Sequence, residues 1–144
     1  MSPTVFVVDT NVVVAGLISG SRGSPVVAVV DAMLAGSLAY LLSPSLLAEY
    51  RRVLMRPRLG VLHGLEEPEI DRVLVEVTAN AIWREPDAVA SAPAPDPGDD
   101  HLWALLSEHV GAMLITGDRL LVENPPAENR VISPRGWVTA FEGR

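Results

Sequence analysis

The side chains in this sequence with an evident capacity for chemistry are carboxylates, and a few positions set them apart. Asp9 closes a run rich in β-branched residues, Thr4-Val5-Phe6-Val7-Val8, and opens Asp9-Thr10-Asn11. Asp118 follows a second apolar run, Ala112 to Thr116, after Gly117. Asp96, Asp99 and Asp100 crowd the end of a Pro- and Ala-rich stretch, and Glu49 sits inside a helical repeat. A strand that ends in an acid presents it at the carboxyl edge of a parallel sheet, where open α/β sheets bind their ligands. Asp9, Asp99 and Asp118 could each also serve as a helix N-cap. Capping alone does not require strand-ending acids to emerge on one edge. Carboxylates that converge repel one another unless a cation neutralises them. Oxygen-only ligands select Mg²⁺ or Mn²⁺ over zinc. One or two such ions can drive in-line attack of water on a phosphodiester.

Glu49 has no capping role available, because it lies within a helix rather than at its start. At about 100° per residue, Leu46, Leu47, Tyr50, Val53 and Leu54 share one apolar face. Glu49 lies only about 40° beyond Val53 on that wheel, whereas Arg52 points well away. It therefore borders the buried face, as a solvated flank or as a group that leans into a crevice.

The elements that must position these acids follow from turn and cap signals. Thr4 to Val8 reads as a strand and Asn11 to Ile18 as a helix. Ser24-Pro25 starts a second helix that Gly36 ends, and Ser43-Pro44 starts a third that carries Leu46 to Met55. Arg56-Pro57-Arg58 ends that helix. Glu66-Glu67-Pro68-Glu69 opens a fourth, with acids where the helix dipole favours them. Ala39 to Leu42, Ala81 to Trp83, Ala112 to Thr116 and Arg130 to Ile132 have strand length. A fifth helix spans about Asp99 to His109, and Ser133-Pro134 starts a terminal one. Segments 86–98 and 123–129 read as loops. Alternating strands and helices predict an α/β fold, a central parallel sheet of about four or five strands with helices on both faces.

Composition narrows the function. The 144 residues, 49% hydrophobic, suit one domain over residues 1–144. No apolar run reaches the roughly 18 residues of a membrane span. No signal peptide is visible, and cysteine is absent, which fits a cytoplasmic protein. All 11 basic residues are Arg. Without Lys there is no P-loop and no Schiff-base chemistry. The net charge of −7 argues against binding nucleic acid by bulk charge, so any such role needs a local basic patch or bound metal. Arg51, Arg52, Arg56 and Arg58 cluster near the end of the third helix, and Arg forks match phosphate geometry. They equally suit a solvated helix C-terminus. We take Arg51, Arg52 and Arg119 as candidates for RNA contact, and Arg56 as a helix-end cation. Trp83, Trp103 and Trp137 fall in apolar patterns and read as core or interface.

Several of these pieces together resemble the PIN-domain family, of the kind found as VapC-like toxins of bacterial toxin–antitoxin pairs. They are Val8-Asp9-Thr10-Asn11-Val12, Ser43-Pro44-Ser45-Leu46-Leu47-Ala48-Glu49-Tyr50, Asp99-Asp100-His101-Leu102-Trp103-Ala104-Leu105 and Leu114-Ile115-Thr116-Gly117-Asp118, with Val131 to Pro134 as a closing strand and turn. The resemblance implies a three-layer fold and an acidic quartet, Asp9, Glu49, Asp100 and Asp118, holding Mg²⁺ or Mn²⁺. It implies Asn11 and Thr116 as polar supports beside the metal, and we take Thr10 and Asp99 as further supporting candidates. It also implies a homodimeric endoribonuclease held in check by an antitoxin. The apolar segments Val26–Val30 and Val73–Val77 are the candidate dimer faces. Asp99 is expected to cap the fifth helix with its side chain, which leaves Asp100 for the metal. Two other readings compete. A haloacid-dehalogenase-like phosphohydrolase needs a second Asp at position 11, which is Asn, and a Lys that the chain lacks. A non-catalytic PIN-fold binding protein would have no need of the acidic set.

Overall fold

The first strand, β1 (Phe6–Val8), is buried along its whole length. That is the state of a strand covered on both faces, and it explains the unbroken apolar run. The structure is a computed structural model that describes residues 4–19, 21–86, 97–123 and 130–141. β1 pairs in parallel with β4 (Met113–Ile115), which pairs in parallel with β5 (Val131–Ile132). β2 (Leu41–Leu42) pairs in parallel with β3 (Ile82–Trp83). A parallel bridge between Phe6 and Tyr40 joins the two ribbons, with the Phe6 amide donating to Ala39 O at 2.9 Å. The strand order is therefore β3-β2-β1-β4-β5. The chain winds outward one way from β1 and the other way from β4, so a topological switch point falls between these two strands.

Eight helices are seen among the described residues: α1 (Thr10–Ile18), α2 (Pro25–Ala35), α3 (Pro44–Leu54), α4 (Pro57–His63), α5 (Glu67–Asn80), α6 (Asp100–Leu106), α7 (Arg119–Glu123) and α8 (Pro134–Phe141). They flank the sheet to give the expected three-layer α/β arrangement. Their ends follow local chemistry. Ser43 Oγ accepts from the Leu46 amide at 3.1 Å and caps α3. Glu66 and Glu69 form a reciprocal capping box at the start of α5. Gly36 ends α2 at φ 75°, a left-handed conformation that favours glycine. Gly16 lets α1 and α2 approach closely, because a Cβ there would stand 2.7 Å from Val26 O and run into the Val30 side chain.

Two tyrosines tie helices to the sheet. Tyr40 OH donates to Val77 O at 2.5 Å, and Tyr50 OH donates to Val8 O at 2.5 Å. Tyr50 is fully buried, and burial pushes its phenol well above its ordinary range, which keeps it a donor. Its anchor on the residue before Asp9 fixes α3 against the end of β1, and Glu49 is its neighbour in sequence. Trp103 and Trp137 are buried, while Trp83 is 39% exposed.

The elements depart from expectation in three places. Pro57 does not merely end α3 but starts α4, since proline fits the first turn of a new helix. α6 stops at Leu106, short of His109. Ser107 Oγ bonds Ala104 O at 2.6 Å, and such local bonding competes with helix continuation. The short α7, for which the sequence carries no start signal beyond Asp118 itself, begins right after that residue. Of the expected loops, 87–96 and 124–129 lie outside the described residues, and Pro97–Asp99 is a 3-10 turn. No helix among the described residues is long and apolar enough to cross a membrane.

Candidate active site

The carboxyl ends of β1 and β4 lie side by side, paired at Val8 and Ile115, and the acids that follow them share one cleft. The cleft has a volume of about 680 Å³, and Asp9, Glu49, Asp99 and Asp118 line it. Val14, Ile18 and Val53 form its apolar wall, and Arg56 is the cation on its rim. β1 delivers Asp9, α3 delivers Glu49, and the turn after β4 delivers Asp118. The 3-10 turn before α6 delivers Asp99.

Asp9 is 6% exposed, and both of its carboxylate oxygens accept hydrogen bonds. Oδ1 accepts from the Thr10 amide at 2.7 Å, which is the capping role open to it at the start of α1. Oδ2 accepts from Thr116 Oγ1 at 2.7 Å and from Asn11 Nδ2 at 3.3 Å. Burial is the main reason that its carboxyl is held above the ordinary range, and the charges of Glu49 and Asp118 add to it. The bonds from Thr116 and the Thr10 amide act the other way without cancelling the rise. Asp9 thus caps a helix and also stands in a field of like charge.

The polar residues around it form one network. Thr116, fully buried, also accepts at Oγ1 from the Asp118 amide at 3.0 Å and from Asn11 Nδ2 at 3.4 Å. Asn11 Oδ1 accepts from the Gly117 amide at 3.1 Å. Asp118 Oδ1 accepts from the Leu120 amide at 2.9 Å and so caps α7. Glu49 lies across the cleft, its side chain 19% exposed. Thr10 Oγ1 donates to Glu49 Oε1 at 2.6 Å, and His101 Nε2 donates to Oε2 at 2.7 Å. The helical wheel placed Glu49 at the edge of a buried face; its two partners come from α1 and α6, which no wheel could reveal.

The start of α6 differs from expectation. Asp99 occupies the N-cap position, but its side chain makes no capping hydrogen bond, and it lines the cleft. Asp100, the acid selected from the sequence pattern, is half-buried and not among the cleft-lining residues. Asp96 lies outside the described residues. Among the arginines, Arg51 turns away from the cleft. Its Nε and Nη2 bond Asp71 Oδ1 at 2.9 Å and Glu67 Oε1 at 2.7 Å on α5, and the pairing holds Asp71 below the ordinary carboxylate range. Arg52 and Arg119 are exposed. Arg56, read from sequence as a helix-end cation, is the arginine at the cleft because α4 begins there.

Residues 5–120 match the PIN domain. The chain belongs to the PIN-domain family. No curated protein matches it. PIN domains are in general nucleases, and those nucleases generally use divalent metal ions. Family membership removes the phosphohydrolase alternative. The match spans β1 through the start of α7, so every cleft-lining acid of this PIN domain falls inside it.

The donor set of this PIN domain fits a hard divalent cation in kind, since every cleft acid offers oxygen. Burial is the main cause of the raised carboxyl of Asp9, and the smaller share that comes from the charges of Glu49 and Asp118 is the part a cation would relieve. Among the described residues, no three His, Asp or Glu groups stand close enough to form a finished cage.

Proposed function

We propose that this PIN domain is a Mg²⁺- or Mn²⁺-dependent endoribonuclease, the toxin of a toxin–antitoxin pair, acting in the cytoplasm as a homodimer. One observation carries the nuclease reading: Asp9, Glu49, Asp99 and Asp118 line a single cleft at the switch point of the sheet. Asp9, Glu49 and Asp118, with an acid from the start of α6, are the residues that would hold the metal. When bound, the ion supplies Lewis-acid activation of water and charge neutralisation at the phosphodiester. The chain's own residues do the rest. Thr116 and Asn11 orient Asp9 by hydrogen bonds to Oδ2. The apolar wall of Val14, Ile18 and Val53 limits water on one side of the cleft. Arg56, which lines the cleft, is the first candidate to contact an RNA phosphate, with Arg52 and Arg119 as further candidates on exposed surface. The toxin role, the antitoxin and the dimer rest on the resemblance to VapC-like chains.

The test is to incubate the purified chain with total RNA in Mg²⁺ or Mn²⁺, against an EDTA control. Cleavage that appears only with metal supports the reading. Intact RNA in all lanes, with no rise in melting temperature on adding Mn²⁺, would leave a binding protein that keeps the fold.

A further inference from the structure

Glu49 is held by two donors from two different helices, and one of them carries a cost. Thr10 Oγ1 from α1 reaches Oε1 at 2.6 Å, and His101 Nε2 from α6 reaches Oε2 at 2.7 Å. A carboxylate only accepts, so His101 spends its Nε2 proton on Glu49. Its other ring nitrogen, Nδ1, is then buried with no hydrogen-bond partner among the described residues. An unpartnered buried nitrogen destabilises the fold. An apolar ring in its place would avoid that penalty, and Glu49, partly exposed, could take water at Oε2 instead. Stability alone therefore gives little reason for a histidine here.

We infer that His101 is a positioning residue for Glu49, and that its Nε2–H bond sets the affinity of the cleft for a divalent cation. The inference rests on the metal-dependent reading above. A glutamate has several rotatable bonds, and binding a cation through it requires them to be fixed. Thr10 and His101 fix them beforehand. A carboxylate offers about four lone-pair sites. The clamp occupies one on each oxygen and leaves capacity on both for an ion. Partners that orient a ligand in this way typically alter metal affinity by about 10–100-fold when removed.

The test is Mn²⁺ affinity of the metal-free full chain, read by calorimetry and by the loss of the free Mn²⁺ electron-spin signal. The variants are His101→Phe, His101→Gln and His101→Asn, each with a thermal melt in EDTA. Glutamine places an amide donor near the Nε2 position, and asparagine places one near Nδ1. We expect His101→Phe and His101→Asn to bind Mn²⁺ about 10–100-fold more weakly. His101→Gln should stay within about threefold of the parent on the same scale. His101→Phe should melt no lower than the parent in EDTA. If His101→Phe fails to fold, the glutamine and asparagine pair decides. Phe and Asn variants that bind as tightly as the parent would overturn the inference while leaving the metal-dependent reading intact. A glutamine variant as weak as the asparagine one would overturn it too, because the Nε2 bond would not be the operative contact. A parent chain that binds no Mn²⁺ would overturn this inference and the metal-dependent reading together.

Discussion

Thr116 Oγ1 donates to Asp9 Oδ2 at 2.7 Å across 107 residues of sequence, and the bond spans the switch point from the end of β4 to the end of β1. The same hydroxyl accepts from the Asp118 amide at 3.0 Å, so one fully buried atom fixes both strand-end acids. Thr116→Val keeps the β-branched shape and removes the hydroxyl. It should cost about 1–3 kcal/mol, the range for stranding buried polar partners. Thr116→Ser should recover most of that. Urea unfolding at neutral pH measures both, and a valine variant as stable as the parent would remove Thr116 from this role.

Asp9→Asn should abolish metal-dependent cleavage, by at least about a hundredfold or about 2.7 kcal/mol in rate. The metal-free fold should be as stable as the parent or more so. The sign follows from burial, which holds the folded-state carboxyl above its ordinary 3.8. A group raised on folding contributes stability below the unfolded value and loses it as pH rises through the folded value. Ionising the buried Asp9 above the unfolded value is therefore a liability. Melting curves of parent and variant in EDTA should converge as pH falls toward the unfolded value, with the variant's advantage largest at neutral pH. An Asn variant that is unfolded at neutral pH, or that still cleaves, would reduce Asp9 to a helix cap.

The two acids at the start of α6 should separate by substitution. Asp99 lines the cleft and makes no side-chain cap, and Asp100 does not line it. Asp99→Asn should thus lose most Mn²⁺-dependent cleavage, and Asp100→Asn should keep more of it. Initial rates in saturating Mn²⁺ decide this. A dead Asp100→Asn with an active Asp99→Asn would restore the assignment made from the family pattern.

Arg56 and Arg51 should also behave differently. Arg56→Ala should weaken RNA binding and lower the salt slope of the affinity by about 1 if the guanidinium meets a phosphate. Arg51 is committed to Asp71 and Glu67, so Arg51→Ala should change RNA affinity little. Its exposed pairs contribute modestly to stability. Fluorescence anisotropy of a labelled RNA in EDTA at several salt concentrations would show it, and equal loss in both variants would refute the distinction.

The sequence by itself determined the order of the five strands and of six of the eight helices among the described residues, all but α4 and α7, because strand runs, Ser-Pro starts and glycine stops are local signals. Thr4 to Val8 reads as a strand and Ser43-Pro44 as the start of a helix, and β1 and α3 form there. It also determined that Asp9 and Asp118 follow strands and that Glu49 borders a buried face. What tertiary structure decided was partnership. The wheel could not say that Thr10 and His101 would meet at Glu49, since they lie 39 and 52 residues away from it. Local capping preference suggested that Asp99 would turn back on α6. The 3-10 turn before that helix instead brings Asp99 to the cleft. Arg51 and Arg56 look alike in sequence, five residues apart and flanked by other arginines. Packing of α3 on α5 gave one of them two acids, and the start of α4 put the other at the cleft. Side-chain destinations of this kind depend on which helices pack together, and no local window carries that information.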